Sequence, residues 1–262
     1  MQPTRSERLR GLSINRMIPN ILTLLALSAG LTAIRFALQE RWEHACLAIL
    51  VAAILDGLDG RIARILKGAS RFGAELDSLS DFISFGVAPV MVLYLWTLHT
   101  AADAGWIVVL LYSVCCALRL ARFNTHLDEP DRPAWRSNYF TGVPSPAGAG
   151  LVLMPMFLTF QMGNSLFSSP GFVTFVVVAV ALLLVSPLPT FAFKRVRIPH
   201  RWVLPVMLAV GTFTAFLISA PWLTMTLTGL LYLASIPVSV RRFRQTLAST
   251  PAGPPPPATP GA

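Results

Sequence analysis

From residue 18 to residue 240 the sequence is a succession of apolar runs separated by short polar groups. A bilayer crossing takes about 20 apolar residues, and in lipid such a run must close its own backbone hydrogen bonds as a helix. Composition agrees: 54% of residues are hydrophobic and 13% charged, with a mean hydropathy of +0.63. A soluble domain carries about 25% charged residues. The chain is therefore expected to be all-α, a polytopic transmembrane helical bundle of about eight spans. The expected spans are residues 18–36, 44–66, 72–98, 106–123, 140–160, 172–193, 202–219 and 222–240.

The formal charge is +9, but the basic residues stand in small groups between apolar runs. That is the pattern of cytoplasmic membrane loops and argues against nucleic acid as a partner. With eight spans, Arg5, Arg8, Arg10 and Arg16, Arg61, Arg64, Lys67 and Arg71, Arg119, Arg122, Arg132 and Arg136, Lys194, Arg195, Arg197 and Arg201, and Arg241, Arg242 and Arg244 fall on one side, and only Arg35 and Arg41 on the other. Both termini are then expected in the cytoplasm. Three domains follow: a cytoplasmic N-terminal segment (1–17), a membrane domain (18–245) and a disordered proline-rich tail (246–262). Pro19 and Asn20 are expected to open the first span, where a proline's missing N–H costs nothing. Cys46, Cys115 and Cys116 lie in apolar runs without metal-ligand spacing and read as small buried hydrophobes. The N-terminus lacks the shape of a cleaved signal peptide.

Against this apolar background one stretch stands out, DGLDGRIARILKGASRFGAELDSLSD, residues 56–81. Intramembrane carboxylates are costly and mark function. Asp56 and Asp59 are three apart, Asp77 and Asp81 four apart, and each spacing puts a pair on one helix face. A short turn joins the two helices, so they are expected to be antiparallel neighbours with their carboxylates across one gap. Four carboxylates in one gap repel, and divalent cations relieve that. Hard oxygen donors suit Mg²⁺, Mn²⁺ or Ca²⁺, and two such ions are a frequent arrangement for chemistry on phosphate. Gly60 and Ala63 would leave a slot beside the metals, while Arg64 and Lys67 could meet phosphate oxygens. Helix packing through small residues is the plainer account of Gly60 and Gly73. A proton or cation pathway is the rival account of the aspartates.

The pattern Asp56-x-x-Asp59-Gly60-x-x-Ala63-Arg64, eight residues, Gly73-x-x-x-Asp77-x-x-x-Asp81 matches every position of the signature of the CDP-alcohol phosphatidyltransferases. The chain is identified by resemblance as a member of that family of integral membrane enzymes. Over roughly residues 15–245 it resembles the membrane-integral phosphatidylserine synthase branch, through Arg119-Leu120-Ala121-Arg122-Phe123-Asn124 and Phe140-Thr141-Gly142-Val143-Pro144-Ser145-Pro146-Ala147. The resemblance implies transfer of the phosphatidyl group of CDP-diacylglycerol to L-serine, giving phosphatidylserine and CMP. It implies metal ligation by Asp56, Asp59 and Asp77, with Asp81 as general base that also touches a metal. Gly60, Ala63, Arg64 and Gly73 match positions lining the CDP site. It further implies a homodimer and a multi-pass place in a bacterial inner membrane, with the active site facing the cytoplasm.

Serine brings a carboxylate, for which Arg119 and Arg122, three apart at the end of the fourth expected span, are candidates together with Asn124. Ordinary positive-inside charge is the alternative account of both arginines. Glycerol 3-phosphate, choline or an inositol phosphate as acceptor would use the same chemistry. A cation-coupled transporter is the reading from another class, but its charged residues belong near the bilayer midplane and often in an internal repeat. Here they gather at one rim, without a repeat.

Overall fold

The structure, a computed structural model, describes residues 14–66, 70–127, 139–163, 165–191 and 202–249. Helix α1 (Ile14–Leu38) is followed by α2 (Trp42–Ile65) and α3 (Arg71–Asp81). A π-helical stretch, Phe82–Val87, leads directly into α4 (Ala88–Trp96). Then come α5 (Asp103–Leu127), β1 (Tyr139–Thr141), α6 (Ser145–Val152), α7 (Met154–Met162), α8 (Pro170–Val185), β2 (Pro189–Phe191), α9 (Val203–Ser219) and α10 (Pro221–Ser249). The strands pair antiparallel, with Phe140 opposite Thr190. The expected N-terminal segment up to residue 13, Lys67 and the tail from residue 250 lie outside the described residues.

The chain is an all-α polytopic membrane protein, but the expected eight spans are not what it forms. Among the described residues four helical runs are long and apolar enough to cross a membrane: Met17–Leu38, Arg71–Trp96, Asp103–Thr125 and Pro221–Phe243. The reasons differ from run to run. Helix α2 carries Glu43, Asp56, Asp59, Arg61 and Arg64 within its 24 residues. The run expected to make the fifth span breaks at Leu153 into helices of 8 and 9 residues, with Pro155 at the start of the second. Helices α8 and α9 reach 16 and 17 residues, short of the usual crossing. Four crossings, like eight, are an even number, so the expectation of both termini on one side does not rest on the count of eight. Pro19 is also displaced from its expected position, since α1 begins at Ile14 and holds Pro19 in its interior.

Helix α1 packs along α2 and also contacts α3. Among the described residues, α2 and α3 make no comparable contact with each other. The two are splayed, and α1 forms the back wall of the gap. Three close approaches hold that wall. Ser80 Oγ donates to the Thr23 carbonyl at 3.1 Å, and Ser84 Oγ to the Ala26 carbonyl at 3.3 Å. A Cβ on Gly30 would sit 2.6 Å from Ser84 Oγ, so only glycine lets α1 come this near.

The π-helical stretch begins one residue after Asp81. Helix α5 serves its carbonyls: Tyr112 Oη donates to Phe85 O at 3.1 Å and Ser113 Oγ to Gly86 O at 3.0 Å. Such stretches often mark functional sites. Beneath them lies one core that includes Ile49, Phe85, Leu93, Tyr112, Met156 and Leu184. Exposed apolar residues such as Leu24, Leu31, Ile107 and Leu118 are the surface that lipid would cover.

Candidate functional site

Helix α2 brings Asp56 and Asp59 to the gap in its last turns, and α3 brings Asp77 from the other side. Carboxylate oxygens of these three lie within 4.8 Å of one another. Asp59 is only 4% exposed. Three hard oxygen donors this close repel one another unless a cation stands between them, so the donor set fits a divalent ion. Among the described residues there is thus one candidate metal site, made of Asp56, Asp59 and Asp77. Asp81, one turn beyond Asp77, is outside that trio. Its Oδ1 is buried and, among the described residues, has no hydrogen-bond partner. Across the gap the Asp81 carboxyl stands within hydrogen-bond reach of Asp56.

Two cavities meet at the aspartates. The larger, about 520 Å³, is lined by Gly60, Ala63, Arg64 and Gly73, with Asp59 and Asp77 at its inner end. Helix α1 supplies the third wall through Asn20 and Thr23. The smaller, about 310 Å³, shares Asp59, Gly60 and Asp77 and adds Asp56, Asp81 and Arg119.

The glycines divide by what surrounds them. A Cβ on Gly60 would meet nothing within 4 Å, so no neighbouring helix packs against this glycine. A Cβ on Gly73 would lie 2.8 Å from Asn20 Oδ1, so this glycine leaves room for the Asn20 side chain of α1. Gly73 also sits in the first turn of α3, where its N–H donates to the N-cap Ser70 Oγ at 3.0 Å. Arg64 is exposed and its Nε donates to Gly60 O at 2.9 Å, one turn back on the same helix.

The three acceptor candidates separate in space. Arg119, 7% exposed, lines the smaller cavity, its guanidinium 5.6 Å from the Phe123 ring centroid. Arg122 turns away, donating to Val185 O at 2.9 Å and Ser186 O at 3.4 Å at the end of α8. There it satisfies carbonyls that the helix leaves unpaired. Asn124 donates to Ser78 Oγ at 2.9 Å, tying the end of α5 to the outer face of α3.

Sequence reasoning missed Thr23 and Ser145. Thr23 Oγ1 donates to Asp59 Oδ2 at 2.7 Å, and Ser145 Oγ accepts from Arg119 Nη1 at 2.6 Å. Neither lies near its partner in sequence, and no periodicity joins them. The Pro-Asn pair before Thr23 and the Gly-Val-Pro-Ser turn were the only local signals.

Comparison with known proteins gives the same family twice. A CDP-alcohol phosphatidyltransferase profile matches residues 16–185, and a second, CDP-alcohol phosphatidyltransferase 2, matches residues 201–237. A CDP-diacylglycerol–serine O-phosphatidyltransferase of Mycobacterium leprae is 42% identical over 240 residues, which are 92% of this chain and 79% of the relative. The protein of that name in Mycobacterium tuberculosis is 41% identical over 235 residues, 90% of this chain and 82% of the relative. The Helicobacter pylori protein is 34% identical over 209 residues, 78% and 83% respectively.

Proposed function

The chain belongs to the CDP-alcohol phosphatidyltransferase family, and on that premise we propose that it transfers the phosphatidyl group of CDP-diacylglycerol to the hydroxyl of L-serine, releasing CMP. The observation that carries the reading is the meeting of two cavities at one carboxylate cluster. A transferase needs a donor and an acceptor chamber with the reacting phosphorus at their junction. The larger chamber takes the cytidine diphosphate, with Gly60 and Ala63 keeping it open, Gly73 drawing its walls together, and Arg64 and Lys67 toward phosphate oxygens. The smaller takes serine, whose carboxylate faces Arg119. Arg122 and Asn124 brace the helices that carry these groups.

Asp56, Asp59 and Asp77 are the residues that would hold a divalent cation. We extend this to two cations, Mg²⁺ or Mn²⁺ before Ca²⁺, with Asp81 touching the second. When bound, the cation offsets charge on the diphosphate and on departing CMP. Asp81, with its unpaired buried oxygen, accepts the proton of the serine hydroxyl as attack proceeds, because a carboxylate is too weak a base to remove it beforehand. The serine oxygen forms a bond to the β-phosphorus, the one bearing diacylglycerol. The bond from that phosphorus to the bridging oxygen breaks, and its electron pair leaves with CMP.

Arg61, Arg64 and Arg71 crowd the end of α2 and α3 that holds the aspartates, while the opposite end of α1 and α2 has Arg35 and Arg41. By the positive-inside rule this supports an active site on the cytoplasmic face. We place the protein in a bacterial inner membrane and carry the homodimer on family resemblance alone.

The test is an acceptor screen. Purified protein in liposomes receives CDP-diacylglycerol and Mn²⁺ or Mg²⁺, with L-serine, glycerol 3-phosphate, an inositol phosphate, choline or water in separate reactions. Phosphatidylserine and CMP form with L-serine alone. CMP release with another acceptor and none with serine would keep the reaction type and refute the acceptor. No turnover with any acceptor, in folded and cation-loaded protein, would return the aspartates to a transport reading.

A further inference from the structure

Ser145 is completely buried, at the first position of α6, and itself lines neither of the two cavities. Its Oγ accepts a hydrogen bond from Arg119 Nη1 at 2.6 Å and lies 3.6 Å from Cys116 Sγ. Cys116 and Arg119 are three apart on α5 and so present one face to it. An arginine has five donors and no acceptor. With one of its nitrogens committed to Ser145 and its plane over Phe123, the guanidinium has little rotational freedom left.

The backbone that carries Ser145 is fixed just as firmly. Gly142 N donates to Leu188 O at 2.8 Å, and Thr190 Oγ1 donates to Gly142 O at 2.8 Å. The β1–β2 pairing continues that attachment, and Arg122 holds the adjoining end of α8 through Val185 O and Ser186 O. The two sequence stretches 119–124 and 140–147, separated by a polar segment, thus interlock: Arg122 secures the strand region that aims Ser145, and Ser145 aims Arg119.

We infer that Ser145 is a positioning residue for acceptor recognition, holding the Arg119 guanidinium toward the 310 Å³ cavity so that it meets a carboxylate-bearing alcohol. The inference deepens the assignment of Arg119 to the serine carboxylate and rests on it. Without Ser145 the arginine regains its other rotamers. The cost then appears as weaker binding of the acceptor and not as slower chemistry, because Ser145 itself lines neither cavity and acts only through the arginine.

Steady-state kinetics on Ser145→Ala, Arg119→Ala and the double variant test this, with serine and CDP-diacylglycerol varied separately. Ser145→Ala raises KM for L-serine about tenfold, with kcat at saturating serine and KM for CDP-diacylglycerol within about twofold of wild type. In the Arg119→Ala background the same substitution adds nothing, since a residue that acts through another is silent once the other is gone. Ser145→Cys, similar in size and still a weak acceptor, gives an intermediate KM and keeps the test open should the alanine variant fold poorly. An unchanged serine KM in Ser145→Ala, or a full further loss in the double variant, would overturn the positioning role while leaving Arg119 as the carboxylate partner. An Arg119→Ala enzyme with wild-type serine KM would overturn the acceptor assignment itself.

Discussion

Thr23 Oγ1 donates a 2.7 Å hydrogen bond to Asp59 Oδ2, and each residue is 4% exposed. The hydroxyl has one proton and a second, longer option, the Pro19 carbonyl at 3.1 Å on its own helix. The shorter and charge-assisted bond goes to the carboxylate. Helix α1 therefore orients a carboxylate of the candidate metal site without offering a ligand itself. Partners of this kind are worth about 10–100-fold in metal affinity. Thr23→Val, which keeps shape and loses the donor, should raise the Mn²⁺ concentration for half-occupancy by at least about tenfold, read by electron paramagnetic resonance of free Mn²⁺. Thr23→Ser should keep wild-type affinity. Equal affinity in the valine variant would remove Thr23 from the site.

Asp81 and Asp77 sit one turn apart yet differ in surroundings. Asp77 belongs to the trio within 4.8 Å, whereas Asp81 Oδ1 is buried and unpaired. Asp81→Asn preserves volume and removes the ability to take a proton. It should lower kcat by about 10²–10⁴-fold, while Mn²⁺ binding at the Asp56, Asp59 and Asp77 trio and CDP-diacylglycerol binding stay near wild type and only the second cation is held more weakly. Asp77→Asn should instead weaken Mn²⁺ binding. If the two variants lost cation affinity equally, Asp81 would be a ligand first and the base would have to be sought elsewhere.

Gly60 and Gly73 give a contrast that sequence could not. A side chain at Gly60 enters open space in the donor chamber, while one at Gly73 strikes Asn20 at 2.8 Å. Gly60→Leu should leave the melting temperature unchanged or slightly raised, because leucine is the better helix former by nearly 1 kcal/mol, yet raise KM for CDP-diacylglycerol by about tenfold or more. Gly73→Leu should lower the melting temperature as α1 is pushed from α3. Thermal melts in detergent, paired with donor kinetics, separate the two.

The aspartates, Gly60, Ala63, Arg64 and Gly73 were legible because helical spacing and a long motif fix which side chains share a face. Thr23 was not, since its partner is 36 residues away on another helix. The span count failed for a related reason. Hydropathy measures how apolar a run is, and residues 140–160 are apolar throughout, but it does not register that the backbone breaks at Leu153 or that α8 stops at Val185. Nor does any residue in FISFGV announce a π-helical stretch. It depends on carbonyl partners that α5 supplies 27 residues further on. The expectation that α2 and α3 face their carboxylates across one gap agrees with the placement of Asp56, Asp59 and Asp77. Helix α1 lies against both and supplies the third wall of the larger cavity between them.

Gly142 has φ +79°, and a Cβ there would lie 2.6 Å from Leu184 O and 3.0 Å from Ser186 O. Gly163 also has positive φ, +59°, but a Cβ there meets nothing within 4 Å. The two glycines therefore separate conformational strain from collision. Gly163→Ala bears only the left-handed penalty of about 1–2 kcal/mol at the end of α7. Gly142→Ala bears the same penalty plus contact with two backbone carbonyls that cannot rotate aside. Those carbonyls end α8, where Arg122 is bound, and the displaced strand leads directly into Ser145. Gly142→Ala should therefore lower the melting temperature further than Gly163→Ala. In whatever fraction stays folded it should also raise KM for L-serine, which Gly163→Ala leaves alone. Equal melting temperatures for the two variants would mean that β1 and the end of α8 yield easily, and that the segment carrying Ser145 is held less firmly than its hydrogen bonds imply.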